Sequence, residues 1–161
     1  MQVIEIWRAS AREAEAAFAL VKEYFETIGV VSREDRDKFV NEYFGKDRGL
    51  WLARIGGELA GCVGLRRLQL PDGFPEGLPC SEMKRMYVRD KFRARGIAQK
   101  LLAAAERFAH EAAYAWIYLD TTSQMVAAAR LYERNGYERC ERYNENPQAT
   151  IFMRKKLTSA S

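Results

Sequence analysis

The sequence predicts a single α/β (α+β) domain: a mixed, mostly antiparallel central sheet with one parallel strand-helix-strand unit and flanking helices. Three observations carry this expectation. Segments with apolar residues at alternate positions, or short apolar runs, stand near both ends and through the middle of the chain. Segments with apolar residues three and four apart lie between them, and clusters of Gly, Pro and Asn separate the two kinds. A chain of 161 residues with 48% hydrophobic residues is long enough to bury one core, so one domain is expected over 1–161, with a core of about 2–157.

"QVIEIWRA" alternates Val3, Ile4, Ile6 and Trp7 with polar residues and reads as the first strand. Ser10 is placed to cap a helix from Ala11 to Ile28, where Ala14, Phe18, Val21 and Phe25 share a face and Gly29 is a stop. Ser32, with Glu34 and Asp35, starts a second helix carrying Phe39, Val40, Tyr43 and Phe44 before Gly45. "GLWLARIGGELAGCVGLRRLQL" is a β-hairpin around Gly56-Gly57, a dipeptide suited to the positive φ of a tight turn. "PDGFPEGLP" holds three of the four prolines and reads as a surface loop.

The fourth strand, "SEMKRMYV", alternates Met83, Arg85 and Tyr87 against Lys84, Met86 and Val88. After the turn "RDKFRAR", a helix from Ile97 to His110 has Ile97, Leu101, Ala104, Ala105 and Phe108 on one stripe. "AWIYLDTT" reads as a buried fifth strand, and "SQMVAAARLYERNG" as a helix with Ser123 as cap and Asn135-Gly136 as stop. "YERCERY" and "ATIFMRKKL", separated by the turn residues "NENPQ", complete the chain as two strands. The middle strand-helix-strand unit is expected to be a right-handed parallel crossover.

Composition excludes several function classes. There are 26 basic and 22 acidic residues spread along the chain, so the formal charge of +4 is no footprint of a dedicated nucleic-acid binder. Cys62, Cys80 and Cys140 are odd in number and show no zinc or disulfide spacing, which fits a reducing cytoplasm and no metal. No apolar run approaches the roughly 20 residues of a membrane span, and "MQVIEIWRAS" has neither a basic leader nor a cleavage site. A soluble cytoplasmic protein without membrane or nucleic-acid partners is expected.

The stretch "RARGIAQK" raises a specific chemistry. Gly96 stands between a strand and a helix, where backbone N–H groups can approach a ligand and the first helical N–H groups have no intrahelical partner. The helix dipole and the side chains of Arg93 and Arg95 favour an anion there, and a pyrophosphate would fit. Neither G-x-x-x-x-G-K-[ST] nor G-x-G-x-x-G is present. Two arginines before a helix also occur as a plain exposed turn.

R-x-x-G-x-A, placed after "MKRMYV" and before "LLAAAERFA", resembles the Q/R-x-x-G-x-G/A signature of the GCN5-related N-acetyltransferase superfamily. "LDTTSQMVAAARLYERNGYE" resembles that superfamily's later A-x-x-L-Y-E-x-x-G-F/Y run, through Ala128, Leu131, Tyr132, Glu133, Gly136 and Tyr137. The resemblance implies acetyl-coenzyme A as donor, its pyrophosphate held along Arg93, Ala94, Arg95, Gly96, Ile97 and Ala98, chiefly by the amides of the last four. It also implies pairing of the pantetheine arm with Met86, Tyr87 and Val88. Many relatives have Asn where this chain has Met125; Ser123 or Gln124 is the expected substitute.

Such a transfer needs a neutral amine, whereas an alkyl ammonium has a pKa of about 10. A base must take the proton, a donor near Met86 must stabilise the oxyanion, and an acid eases departure of the thiolate. Tyr132 is chosen as the acid, since a phenol stays protonated at neutral pH, against the reading of a helix tyrosine satisfied in the core. Glu82, at the start of the fourth strand, is chosen as base, acting directly or through water, with a solvated strand-end carboxylate as the alternative. Asp120 is read as a cap of the following helix rather than a substrate contact. His110 ends its helix, and no Cys-His pair is visible for a covalent carrier.

Tyr24, Phe25, Tyr43 and Phe44, with the loop Pro71 to Pro79, are expected to form the acceptor side, Tyr24 and Glu82 touching substrate. The preferred acceptor is the primary amine of a small molecule, an amino acid or a polyamine; alternatives are a protein or peptide amine, a non-catalytic acetyl-coenzyme A sensor, and a nucleic-acid binder built around "KFRARG". Many relatives dimerise, and no exposed stripe in this sequence decides between monomer and homodimer.

Overall fold

The computed structural model describes residues 2–31, 34–74 and 77–157. β1 (Ile4–Arg8) leads through a short 3-10 turn into α1 (Ala14–Ile28), and α2 (Arg36–Tyr43) follows. The Ser10 N–H donates to the Glu13 carboxylate (2.9 Å), which fixes the entry to this helical segment. Gly29 ends α1 at φ +71°, a left-handed geometry that costs glycine nothing. The expected Ser32 cap of α2 lies outside the described residues; Asp35 caps the helix, accepting from the Lys38 N–H at 2.8 Å.

β2 (Gly49–Ile55) and β3 (Glu58–Leu68) form the expected hairpin, with Gly56 at φ +58° and Gly57 at φ +85°. β4 (Cys80–Val88), α3 (Ile97–Glu111) and β5 (Trp116–Thr121) form the parallel unit. α4 (Val126–Arg134), β6 (Glu138–Arg139) and β7 (Ile151–Lys156) complete the chain. The sheet order is β1-β2-β3-β4-β5-β7-β6, antiparallel except between β4 and β5.

Helices cover both faces. α3 and α4 bury Ile97, Leu101, Leu102, Ala105, Ala129 and Leu131 against Val63, Leu65, Ile117, Leu119 and Met153 of the sheet. α1 and α2 bury Leu20, Val21, Phe39 and Tyr43 against Leu50, Leu52 and Cys62 on the other side. Each Leu, Ile, Val, Phe or Met among them contributes about 1.5–3 kcal/mol when fully buried, which makes these two layers the main stabilising contacts. A third cluster of Tyr118, Tyr143 and Phe152 packs at the β5–β7 end.

Two expectations change in detail. α4 starts at Val126, because the Ser123 N–H donates to Thr150 Oγ1 (2.9 Å) and holds that residue toward β7, so Ser123 is no cap. β6 is two residues long rather than seven. Past Cys140 the chain turns inward, with Arg142 donating to the carbonyls of Asn146 (3.0 Å) and Ala149 (3.1 Å), so these groups are satisfied without a ladder.

Candidate active site

β4 and β5 pair only from Cys80↔Trp116 to Met83↔Leu119; beyond that point both strands continue but no longer pair with each other. On its other side β4 carries a bulge. Cys62 faces Tyr87 and Gly64 faces Lys84, so Val63 opposes both Arg85 and Met86. Arg85 takes φ +61°, a left-handed conformation that a non-glycine residue adopts at a cost. The extra residue breaks the alternation read from sequence. Met83, Met86 and Val88 pack against the α3 layer, whereas Tyr87 packs with the α1 layer.

The parted strands open a cleft of about 1090 Å³. One wall carries Tyr24 and Phe25 of α1, and another carries Ala128 and Tyr132 of α4 with Met125 just before that helix. Met86 lines it from β4, and Ser123 and Gln124 line it from the β5–α4 connection. Tyr132 is only 5% exposed, with its ring 5.7 Å from that of Tyr137. Burial raises its phenol pKa, with Tyr24 and Asp120 adding to the shift, so the hydroxyl keeps its proton at neutral pH.

At the far end of the cleft lie charged side chains: Lys38, Glu42, Arg66, Lys84, Arg85, Glu34 and Asp120. Lys84 Nζ donates to Asp120 (3.1 Å), and Asn144 (2.6 Å) and Asn146 (3.4 Å) donate to the same carboxylate. Asp120 is thus tied across the cleft floor, which corrects its reading as a helix cap. Glu34 accepts from Arg85 at 3.3 Å. Burial raises the Glu34 pKa above the usual carboxylate range; Arg85 opposes the shift and Glu42 adds to it.

The solvated strand-end reading of Glu82 is corrected as well. Glu82 stands third in β4, 1% exposed, directly across from Arg66 on β3, and its carboxylate does not line the cleft. Arg66 donates to it twice (3.0 and 3.1 Å), Tyr143 donates its hydroxyl (2.7 Å), and Asn144 donates at 3.2 Å. It is no solvated strand end: it is a buried carboxylate that holds Arg66, Tyr143 and Asn144 in place. Tyr43 is a further correction, fully buried in the α2 layer, and Phe44 packs its ring edge on Phe39 (5.9 Å). The described residues of the loop from Pro71 to Pro79 line a separate depression of about 640 Å³.

The N-terminus of α3 lies outside the cleft lining, with the core residues Phe92, Ile97, Tyr132 and Tyr137 packed in one cluster behind it. Ala94 (φ +61°) and Gly96 (φ +80°) both take left-handed conformations. The first bond of α3 runs from Lys100 N–H to Gly96 C=O (3.2 Å), leaving the Ile97, Ala98 and Gln99 amides without intrahelical partners. A Cβ built on Gly96 would meet nothing within 4 Å, so a side chain at this first position of the turn would enter open space. Arg93 folds back to Asp90 (2.7 Å) and to the Val88 carbonyl (3.2 Å), and Arg95 lies 5.7 Å from the Phe92 ring centroid. An open turn of free amides at a helix start fits a diphosphate. Tyr87 donates its hydroxyl to Glu23 (2.8 Å), which also binds Arg89, so its side chain is a strut rather than a ligand contact.

The residues missed in sequence are Arg66, Lys84, Arg85, Glu34 and Glu42. A signal existed: Glu82 and Lys84 are charges at alternate positions of a strand predicted to be central, where a charge requires a buried partner. The cysteines remain free thiols, and burial pushes Cys62 up to about 12, far from a nucleophile.

Comparisons with known proteins agree with this geometry. The profile of the Acetyltransferase (GNAT) family matches residues 14–137. An N-acetyltransferase of Schizosaccharomyces pombe is 29% identical over 146 residues, covering 86% of this chain and 85% of its own length. The N-acetyltransferase YsnE of Bacillus subtilis is 32% identical over 118 residues, covering 70% and 72%. The chain spans only 48% of a matching mouse relative, a probable N-acetyltransferase family 8 member. A GNAT-family acetyltransferase structure from Staphylococcus aureus superposes with TM-score 0.79 at 21% identity, over 97% of this chain and 100% of that one. The NatC complex bound to Gag peptide and CoA includes a chain that superposes with TM-score 0.74 at 21% identity, over 96% and 99%. With the family profile spanning both motif regions and the parted β4–β5 pair supplying the cleft between them, this chain belongs to the GNAT family of acetyl-coenzyme A-dependent acetyltransferases.

Proposed function

We propose that the protein transfers acetyl from acetyl-coenzyme A to the primary amine of a small molecule or amino acid, by direct attack with both substrates bound. The carrying observation is the cleft itself: it runs from Met86 and Tyr132 to a floor of ionised side chains, where a small polar acceptor can be held. The bound donor supplies an activated acetyl thioester. The α3 amides from Ile97 to Gln99, with Gly96 leaving room, hold its diphosphate; Ser123 or Gln124 stands in the cleft where a polar contact to its arm is needed.

Tyr132 keeps its proton through burial and provides it to the departing sulfur. Glu34 replaces Glu82 as the proposed base: it lines the cleft, and its raised pKa brings it closer to a working base than an ordinary carboxylate. The three unpaired cysteines support a reducing, cytoplasmic setting.

The test is release of free coenzyme A with a panel of amino acids, small amines and N-terminal peptides, paired with calorimetry of acetyl-coenzyme A binding. Small amines acetylated faster than peptides bear the reading out. Binding of donor without release by any amine leaves a sensor, and release with peptides alone points to a protein acceptor.

A further inference from the structure

The acceptor end of the cleft carries four cations, Lys38, Arg66, Lys84 and Arg85, against three carboxylates, Glu34, Glu42 and Asp120. Their pairing is uneven. Arg66 is committed to Glu42 (2.6 Å) and twice to Glu82 (3.0 and 3.1 Å). Lys84 is shared between Asp120 (3.1 Å) and Glu82 (3.7 Å).

Arg85 is held far less completely. Its side chain is 18% exposed, and among the described residues its side-chain polar contact is one 3.3 Å bond from Nη2 to Glu34, with the buried Nε making no hydrogen bond. The guanidinium lies over the Phe25 ring, 4.6 Å from the centroid, which restrains its plane. The bulge residue's left-handed backbone (φ +61°) fixes where this side chain leaves β4. A restrained, partly exposed guanidinium with unused N–H donors is suited to a carboxylate, which it grips through a planar fork.

We propose that the acceptor carries a carboxylate as well as its amine, an amino acid or similar zwitterion, and that Arg85 selects it. This rests on the reading that a small amine is acetylated. A polyamine would bring a further positive charge beside the Arg85 guanidinium, the incompletely paired cation of this floor, and offers no group for its N–H donors. In an α-amino acid the amine sits on the carbon beside the carboxylate, so a carboxylate on Arg85 draws the amine toward Glu34, the acid that Arg85 already holds.

The experiment measures kcat/KM by coenzyme A release for matched pairs, each an amino acid and its decarboxylated amine with the same side chain. The wild type is expected to prefer the best amino acid over its amine by about 10- to 100-fold. Arg85→Gln is expected to bring that ratio toward one, mainly through KM of the amino acid; Arg85→Lys, which keeps charge without the fork, falls between. The ratio is taken on one preparation, so loss of folded enzyme cancels. Equal use of both members by the wild type, or an unchanged ratio in Arg85→Gln, overturns the assignment of substrate class to Arg85. Binding of acetyl-coenzyme A with no release by either member of any pair overturns small-amine transfer itself, and the inference falls with it.

Discussion

Tyr132 illustrates how a residue on an ordinary helix acquires a chemical property from its surroundings. Its burial against Tyr137 and its place on the cleft wall keep the phenol protonated through and beyond neutral pH. Replacing Tyr132 with Phe is expected to lower kcat by about 100-fold, the usual scale of a lost general acid, while calorimetric affinity for acetyl-coenzyme A changes little. Unaltered turnover would remove Tyr132 from the chemistry. Glu34 has the opposite requirement, since it must be ionised to accept a proton. Burial raises its pKa, so kcat/KM is expected to fall as pH drops through a value above the ordinary 4.5 of glutamate. Glu34→Gln should lower the plateau and flatten that acid limb; a pH profile parallel to wild type would assign the limb elsewhere. Tyr132 was legible in the sequence because a motif marks it. Glu34 was not, because only the fold brings it against Arg85 of β4. Glu82 was legible as a residue of β4 but not as a buried one, because the Arg66 that neutralises it comes from the neighbouring strand and Tyr143 from the β6–β7 connection, 61 residues later. For that reason Glu82→Gln should cost stability, about 3–5 kcal/mol for a broken buried pair, read as a fall in melting temperature accompanied by loss of the Arg66 contacts.

Among the elements, those with a strong local signal were read well and those set by tertiary context were not. α3 has an apolar stripe and a glycine start, and the hairpin has Gly56-Gly57; both follow from local chemistry. The β4 bulge leaves no comparable local mark, since one inserted residue opposite Val63 is decided by the pairing of two strands. It redirects every side chain after Lys84, and with it the expected faces of Arg85 and Tyr87. β6 shortened for a related reason: Arg142 satisfies carbonyls that a ladder would otherwise use. The α3 N-terminus offers the sharpest test at this scale. Gly96→Glu places a negative side chain in open space at the turn that carries the free amides, and should weaken acetyl-coenzyme A binding by at least about 100-fold. Gly96→Ala meets no atom within 4 Å and bears only the left-handed backbone cost of about 1 kcal/mol, so it should retain most affinity. Equal losses in the two variants would show that backbone conformation, rather than charge at a phosphate cradle, governs the site.

At the scale of the whole molecule, the sheet is two parts joined by a short seam. β1 to β4 carry α1 and α2, β5 to β7 carry α4 beside them, and the direct link between β4 and β5 is the ladder from Cys80 to Met83 with Trp116 to Leu119. α3 packs on the first part, against β1 to β4, and its Leu101, Leu102 and Ala105 share one buried cluster with Ile117 and Leu119 of β5. A donor lying between the parted strands would contact Met86 from one part and Ala128 and Tyr132 from the other, while its diphosphate sits on α3. Ligand that binds the folded chain alone stabilises it by about 2.7 kcal/mol at 100 times its Kd. For a domain of this size that corresponds to a rise in melting temperature of about 5–10 °C. Thermal unfolding with saturating acetyl-coenzyme A should show this rise in the wild type and in Tyr132→Phe, which keeps the cradle, and should lose it in Gly96→Glu. A rise of the same size in Gly96→Glu would place the stabilising contacts outside the α3 turn, and absence of a rise in the wild type would mean that the parted strands do not take the donor.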